Sequence, residues 1–120
     1  VDDLSSGARS QVPATARFVQ ADIRSAEAAA AITAFRPEVL SHHAAQIDVR
    51  RSVSDISYDA GVNIRGLLAM VEASRKAGAL KRVLFASSGG AIYDEHGPIP
   101  ADESAPAAPA SPYGVAKRAG

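Results

Sequence analysis

The run Arg82-Val83-Leu84-Phe85-Ala86-Ser87 is apolar and does not alternate. A strand with one solvated face alternates with period two, whereas a parallel strand covered by helices on both faces reads as a continuous apolar stretch. That stretch therefore argues for a parallel sheet. Parallel neighbours need crossovers of a dozen or more residues, usually helical, and the rest of the chain supplies them. Val1 to Leu4 reads as the end of a strand, and Ser5 to Thr15 as a polar loop carrying Gly7 and Pro13. Arg17 to Asp22 reads as a short strand ending in an acid. Ser25 is a good cap for a helix through the alanine-rich stretch to Phe35, stopped by Pro37, and Val39 to His42 is the next strand.

Gln46 to Ile56 reads as a polar connection with Arg50 and Arg51. A longer helix follows from Ser57 to Ala77, with Val62, Leu67, Leu68 and Val71 as its apolar stripe, Ala69, Met70 and Ala73 on the other face, and Gly78 as its C′ residue. After the apolar strand comes a long loop, Gly89 to Ser111, with Pro98, Pro100, Pro106 and Pro109. A loop of that length in a compact domain is usually functional. Ser111 and Pro112 then suit the N-cap and first position of a last helix. The alternation of strand and helix predicts an α/β fold, a doubly wound parallel sheet of Rossmann type.

With 120 residues the chain suits one modest domain. Lys plus Arg and Asp plus Glu both count 13, so no basic excess points to nucleic acid or an anionic membrane. The absence of cysteine excludes a disulfide framework and thiolate metal sites. No run of about 18 apolar residues suggests a membrane span, and a cytoplasmic protein is expected. The chain starts at Val1 without a methionine and stops at Lys117-Arg118-Ala119-Gly120, within a helix just begun. It therefore reads as an internal piece of a longer protein, residues 1–120 being part of a domain from the end of its second strand onward.

The chemistry concentrates at the strand ends, where ligands of open parallel sheets bind. Asp2-Asp3, Asp22, His43-Ala44-Ala45-Gln46 and Ser87-Ser88-Gly89-Gly90 all fall there. An acid after the second strand of a dinucleotide fold accepts the ribose hydroxyls and repels a 2′-phosphate, so Asp2 points to NAD over NADP; an Asp there also forms turns. Asp22, followed by Ile23, could receive an adenine amino group or cap the next turn. Ala44 and Ala45 allow close backbone approach to a cofactor, and Asn63 is polar within an apolar stripe. Neighbouring His42 and His43 point to opposite faces of a strand and cannot jointly chelate one ion; no metal site is expected.

Tyr113 and Lys117 are four residues apart at the start of the last helix, hence on one face. A phenol, ordinarily titrating near pH 10, is a poor base at neutral pH. A neighbouring ammonium and the positive end of a helix both favour the phenolate, so this pair can deprotonate a sugar or alcohol hydroxyl. Ser87 and Ser88, delivered by the preceding strand, can hydrogen-bond the same hydroxyl.

Taken in order, Val1-Asp2-Asp3-Leu4, Ala21-Asp22-Ile23-Arg24, His43-Ala44-Ala45-Gln46, Asn63 with Gly66, Ser87-Ser88-Gly89-Gly90-Ala91-Ile92-Tyr93 and Ser111-Pro112-Tyr113-Gly114-Val115-Ala116-Lys117 resemble the extended short-chain dehydrogenase/reductases. Within these the chain is most similar to the NAD-dependent epimerase/dehydratase group, especially the UDP-glucose 4-epimerases. The resemblance implies a first strand with a glycine-rich phosphate loop and a carboxy-terminal sugar-binding domain, neither of which these residues contain. It also implies NAD as cofactor, a UDP-sugar as substrate and a homodimer built on the long helix and the Tyr113 helix. By the same resemblance, Asp2 holds the adenosine ribose with Asp3 beside it, and Asp22 and Ile23 flank the adenine. Ala44, Ala45 and Gln46 line the pyrophosphate and nicotinamide ribose, and Asn63 supports that loop. Tyr113 is the base, Lys117 holds the nicotinamide ribose and favours the phenolate, and Ser88 or Ser87 bonds the reacting hydroxyl. Two departures stand out: Asp94 replaces a usual glycine after Tyr93, and the Ser-Ser-Gly-Gly stretch is one residue longer than the family's shortest version, which leaves the choice of serine open. The implied reaction is transient oxidation of the sugar at C4. A sugar 4,6-dehydratase is the nearest rival, yet Gly89 and Gly90 cannot exchange protons where that chemistry needs an acid and a base; another extended short-chain reductase is the next, though these usually prefer NADP, which Asp2 disfavours. A dinucleotide-binding sensor is the rival of another class, though such relatives can lose the Tyr–Lys pair.

Overall fold

The computed structural model describes residues 1–120. Two parallel strands form its ladder, β1 (Val39–His42) and β2 (Arg82–Phe85), in register Val39↔Arg82 to His42↔Phe85. The expected strands at either side of the first loop are reduced to one parallel bridge, Asp2↔Gln20, closed by Asp2 N–H to Val19 O at 3.2 Å and Ala21 N–H to Asp2 O at 3.1 Å. The bridge and the ladder do not pair with each other. A cavity of about 350 Å³ lies between them, lined by Val1 and Asp2 and by Val39, Leu40, His42 and Ala44. Each piece has a partner on one edge alone, which is why neither Val1–Leu4 nor Arg17–Asp22 extends into a full strand.

Helix α1 (Ala26–Phe35) starts where Ser25 accepts from Ala28 N–H at 3.1 Å, and ends at Arg36, which takes a positive φ of 54°. The Arg36 Nε–H then donates to Ala77 O at 3.1 Å, tying the end of α1 to the end of the long helix. The connection expected between Gln46 and Ile56 is itself helical: α2 (Val49–Ser54) is capped by Asp48, whose carboxylate accepts from Arg50 and Arg51 N–H. Asp48 is a strong N-cap residue, and that signal was available in the sequence.

The long helix begins with α3 (Ile56–Ala60), passes through a π segment (Gly61–Gly66) and continues as α4 (Leu67–Lys76), with Gly78 at φ 78° just beyond. Its buried face differs from the expected one. Met70 and Ala73 are 2% and 4% exposed, whereas Leu68 is 60% exposed. Of the expected stripe, Leu67 is buried and Val62 and Val71 pack against the core, so the departure is confined to Leu68 on one side and Met70 and Ala73 on the other. Met70 joins Ala21, Ile23, Ala28 and Leu40 in the main apolar cluster. Gly66 permits this packing, because a Cβ there would overlap the Ile23 side chain.

The apolar strand does not behave as a covered one: Val83 and Leu84 are 38% and 51% exposed, since within these residues β2 has β1 as its neighbour and little over its faces. The long loop after it contains a short helix, α5 (Gly89–Ile92), and an antiparallel bridge between Tyr93 and Ala107. Helix α6 (Pro112–Ala119) follows, with Ser111 Oγ accepting from Gly114 N–H at 3.0 Å. No helix is long and apolar enough to cross a membrane.

Candidate active site

Three of the four strand ends converge on an open cavity of about 450 Å³, which Ser87, Ser88, Tyr113 and Lys117 do not line. Asp2, Asp3, Asp22, Ile23, Ala44, Ala45 and Gln46 all line it, so seven residues separated along the chain meet there. Each of the three acids also shapes its own backbone: Asp2 accepts from Leu4 N–H at 2.7 Å, Asp3 from Ser5 N–H at 2.9 Å and Asp22 from Arg24 N–H at 2.8 Å. These Asx turns hold the carboxylates at the ends of the extended segments and leave Oδ2 of Asp2 and of Asp3 free to accept from a ligand, whereas both oxygens of Asp22 are engaged by Arg24. Asp22 is further paired with the Arg24 guanidinium, and that hydrogen bond holds its carboxyl below the usual range. The cavity's other walls come from residues that the sequence did not single out, among them Ser5, Ser6, Arg51, Tyr58 and Val62. Arg51 stacks on the Tyr58 ring at 3.9 Å and Arg24 approaches it at 5.2 Å, so the cavity is edged by a ring held by guanidinium groups.

Asn63 does not line the cavity; it grips the loop that does. Its Oδ1 accepts from Gln46 N–H at 2.9 Å and its Nδ2–H donates to Gln46 O at 3.0 Å. Both backbone groups of Gln46 are thereby satisfied by one side chain, which fixes the loop after β1 against the π segment. A second buried residue completes the clamp. Asp59 is 1% exposed and accepts from Gln46 Nε2 and from Asn63 Nδ2, each at 2.9 Å. Its four-residue offset from Asn63 on a helix was the signal that could have revealed it.

Tyr113 and Lys117 lie on α6, 9% and 5% exposed. The Lys117 Nζ is 5.8 Å from the Tyr113 ring centroid and 5.0 Å from that of Phe85, and it donates to Ala86 O at 2.8 Å. Burial pushes this ammonium below the ordinary lysine range, and the Asp59 carboxylate partly opposes the fall. The backbone of α6 comes close to α5 because Gly114 has no side chain: a Cβ there would strike the Ala91 carbonyl. The two serines separate. Ser87 Oγ donates to Lys117 O at 3.2 Å and so ties β2 to α6, whereas Ser88 sits at the N-cap of α5 without capping it by its side chain. His42, the last residue of β1, is buried, and His43 just beyond it is exposed.

The family profile described as the NAD dependent epimerase/dehydratase family matches residues 1–120. The chain is 42% identical to the UDP-glucose 4-epimerase of Mycolicibacterium smegmatis over all of its own length and 40% of that protein's. Among solved structures it is 40% identical to the Thermus thermophilus UDP-glucose 4-epimerase in complex with NAD, with a TM-score of 0.88 over 98% of this chain and 38% of that one. The Thermotoga maritima UDP-glucose 4-epimerase with UDP-glucose superposes with a TM-score of 0.90, also at 40% identity and over 38% of its chain. The chain thus spans about 40% of the length of the relatives it matches. A match along every residue, on a fold that brings the dispersed strand-end residues together, makes this chain a member of the NAD-dependent epimerase/dehydratase family.

Proposed function

We propose that the intact protein carrying these residues is an NAD-dependent nucleotide-sugar epimerase, most like UDP-glucose 4-epimerase, and that residues 1–120 are part of its cofactor-binding domain. The observation that carries this reading is the buried Tyr113–Lys117 pair on α6, together with the acid-lined cavity beyond the other strand ends. NAD fits the residues present. Asp2 and Asp3 offer free carboxylate oxygens to ribose hydroxyls and would repel a 2′-phosphate, Asp22 and Ile23 suit an adenine edge, and Ala44, Ala45 and Gln46 form a wall with little bulk.

When bound, NAD would supply the hydride acceptor and donor at the sugar C4. The chain's own residues supply position and proton affinity. Tyr113, as phenolate, takes the proton of the 4-hydroxyl and returns it after the keto sugar has turned over. Ser88 bonds that hydroxyl and relays its proton, while Ser87 stays committed to the Lys117 carbonyl. Lys117 holds positive charge near the Tyr113 ring and bonds the nicotinamide ribose. Asn63 acts through Gln46, holding the cofactor-facing loop in place.

The same reading makes the protein a cytoplasmic homodimer joined through the long helix and α6. With Met70 and Ala73 in the core, the apolar side chains available to a partner copy are Leu68, Ile56 and Val115, 60%, 59% and 53% exposed. The test is conversion of UDP-galactose to UDP-glucose by the intact protein, with NAD and NADP compared. Conversion supported by NAD is expected; no conversion of any UDP-sugar, or a requirement for NADP, would overturn the reading.

A further inference from the structure

Asp59 is a buried carboxylate that the clamp on the loop after β1 does not fully explain. Its Oδ1 takes both hydrogen bonds, from Gln46 and from Asn63, and its Oδ2 is buried with no partner. An asparagine at this position could accept the same two bonds through one oxygen and would bury no charge. A carboxylate buried with an idle oxygen is costly, so the charge itself calls for a reason. The helix that carries Asp59, α3, packs directly on α6. There Lys117, also buried, has three N–H donors and gives one to Ala86 O. The two ions act on each other: Asp59 raises the proton affinity of Lys117 against the effect of burial, and Lys117 favours the ionised form of Asp59, itself pushed up by burial.

We propose that Asp59 is a positioning residue, the buried counter-charge that keeps Lys117 in its ammonium form while the same carboxylate anchors the loop after β1. One side chain then couples the cofactor wall to the proton-transfer pair: Gln46 and Asn63 through Oδ1, and Lys117 through the charge. The proposal rests on the functional reading given above. The other groups around Lys117 do not supply this charge. His42 on β1 lies near it and is held neutral by burial, and Tyr113 on its own helix faces it. On α2, Arg50 pairs with Asp48 and Arg51 stacks on Tyr58, while Arg65 of the π segment and Arg118 of α6 are exposed. Helix α5 carries no ionisable side chain.

The deciding variant is Asp59→Asn in the intact protein, which removes the charge and keeps an acceptor for Gln46 and Asn63. Competitive labelling of Lys117 with an amine-reactive anhydride across pH, read by mass spectrometry without added NAD, should show its midpoint falling by about one pH unit. In steady-state assays with a UDP-sugar, kcat should drop about tenfold at alkaline pH with KM changed less than twofold, and the alkaline limb should move to lower pH. Asp59→Ala, which also releases Gln46, should additionally raise the Kd for NAD. A labelling midpoint unchanged in Asp59→Asn would overturn the proposal. The labelling arm stands without turnover, so absence of epimerase activity in the wild-type protein would sink the functional reading and leave this test decisive. Should Asp59→Asn not fold, Asp59→Ser removes the same charge with less bulk and is labelled in its place.

Discussion

The polar region under α6 is better buried than the apolar strand beside it. Asp59, Ser52 and Ser74 are the largest fully buried side chains, and Asn63 and Lys117 are 2% and 5% exposed, whereas Leu84 of β2 is 51% exposed. The difference lies in what each region needs as a partner. The polar cluster is closed by helices that this chain contains, with α3 and the π segment against α6 and each backbone group of Gln46 met by Asn63. A parallel strand needs neighbours on both edges and layers on both faces, and β2 has β1 alone. The whole surface reflects this: 7877 Å² is exposed at 12.3 kDa, where folded monomers of that mass expose about 6,100 Å². The site-forming contacts are local to these residues, while the sheet's cover is not.

The sharpest test of that contrast changes one residue where helices cover the core and one on the uncovered strand. Met70→Ala empties the main apolar cluster and should cost about 2–5 kcal/mol in urea unfolding of the intact protein. Leu84→Lys in the isolated 120 residues should instead improve solubility by light scattering, because it replaces an exposed apolar side chain. A soluble yield lowered by Leu84→Lys would show that β2 is covered after all.

Next in size is the chemistry of the buried pair. Tyr113→Phe keeps the ring packing and removes the base, so turnover of a UDP-sugar should fall about a hundredfold or more, equivalent to about 2.7 kcal/mol. Lys117→Ala should weaken NAD binding and move the pH optimum upward, since the phenolate loses its cation. Near-wild-type turnover in Tyr113→Phe would mean that the burial of this pair is structural.

Gly66→Ala probes the helix approach that shapes the cavity wall. The added methyl meets Ile23, whose side chain must shift, and a loss of about 1–3 kcal/mol in thermal or urea unfolding is expected. An unchanged midpoint would show that Ile23 yields without cost.

The smallest effect concerns acid stability. Burial, with help from the charge of Lys117, lowers the proton affinity of His42, so the folded chain keeps it neutral while the unfolded chain protonates near pH 6.5. Stability is then complete above that pH and is lost as pH falls below it, toward the lowered folded value. Replacing His42 by leucine should flatten the decline between pH 7 and pH 5.5, worth about 1 kcal/mol, in urea titrations at the two pH values.

The sequence read α1, β1, the long helix, β2 and α6 nearly to their ends because each boundary has a local cause: Ser25 and Ser111 as caps, Pro112 at a helix start, Gly78 at a helix end. It missed α2, whose Asp48 cap was hidden within a stretch that looked merely polar. It placed Met70 and Ala73 on the wrong face, although with Leu67 and Ala77 they form one row at helical spacing. The candidate cofactor residues were found through strand ends, and the cavity gathers seven of them. Arg51 was read as part of a polar connection and Tyr58 was passed over, because a ring stacked on guanidinium groups leaves no mark in spacing.

By itself, the sequence determined the order of strands and helices, the capped helix bearing Tyr113 and Lys117 four residues apart, and the small and acidic residues at strand ends. These follow from backbone geometry and side-chain chemistry within a few residues of one another. Only the tertiary structure decided that Ser87 is tied to Lys117 O while Ser88 is not, that Asn63 and Asp59 close on Gln46, and that Lys117 is buried within electrostatic reach of Asp59. Those pairings join groups 13 to 58 residues apart, and at such separations packing between helices, not local preference, selects which polar groups meet.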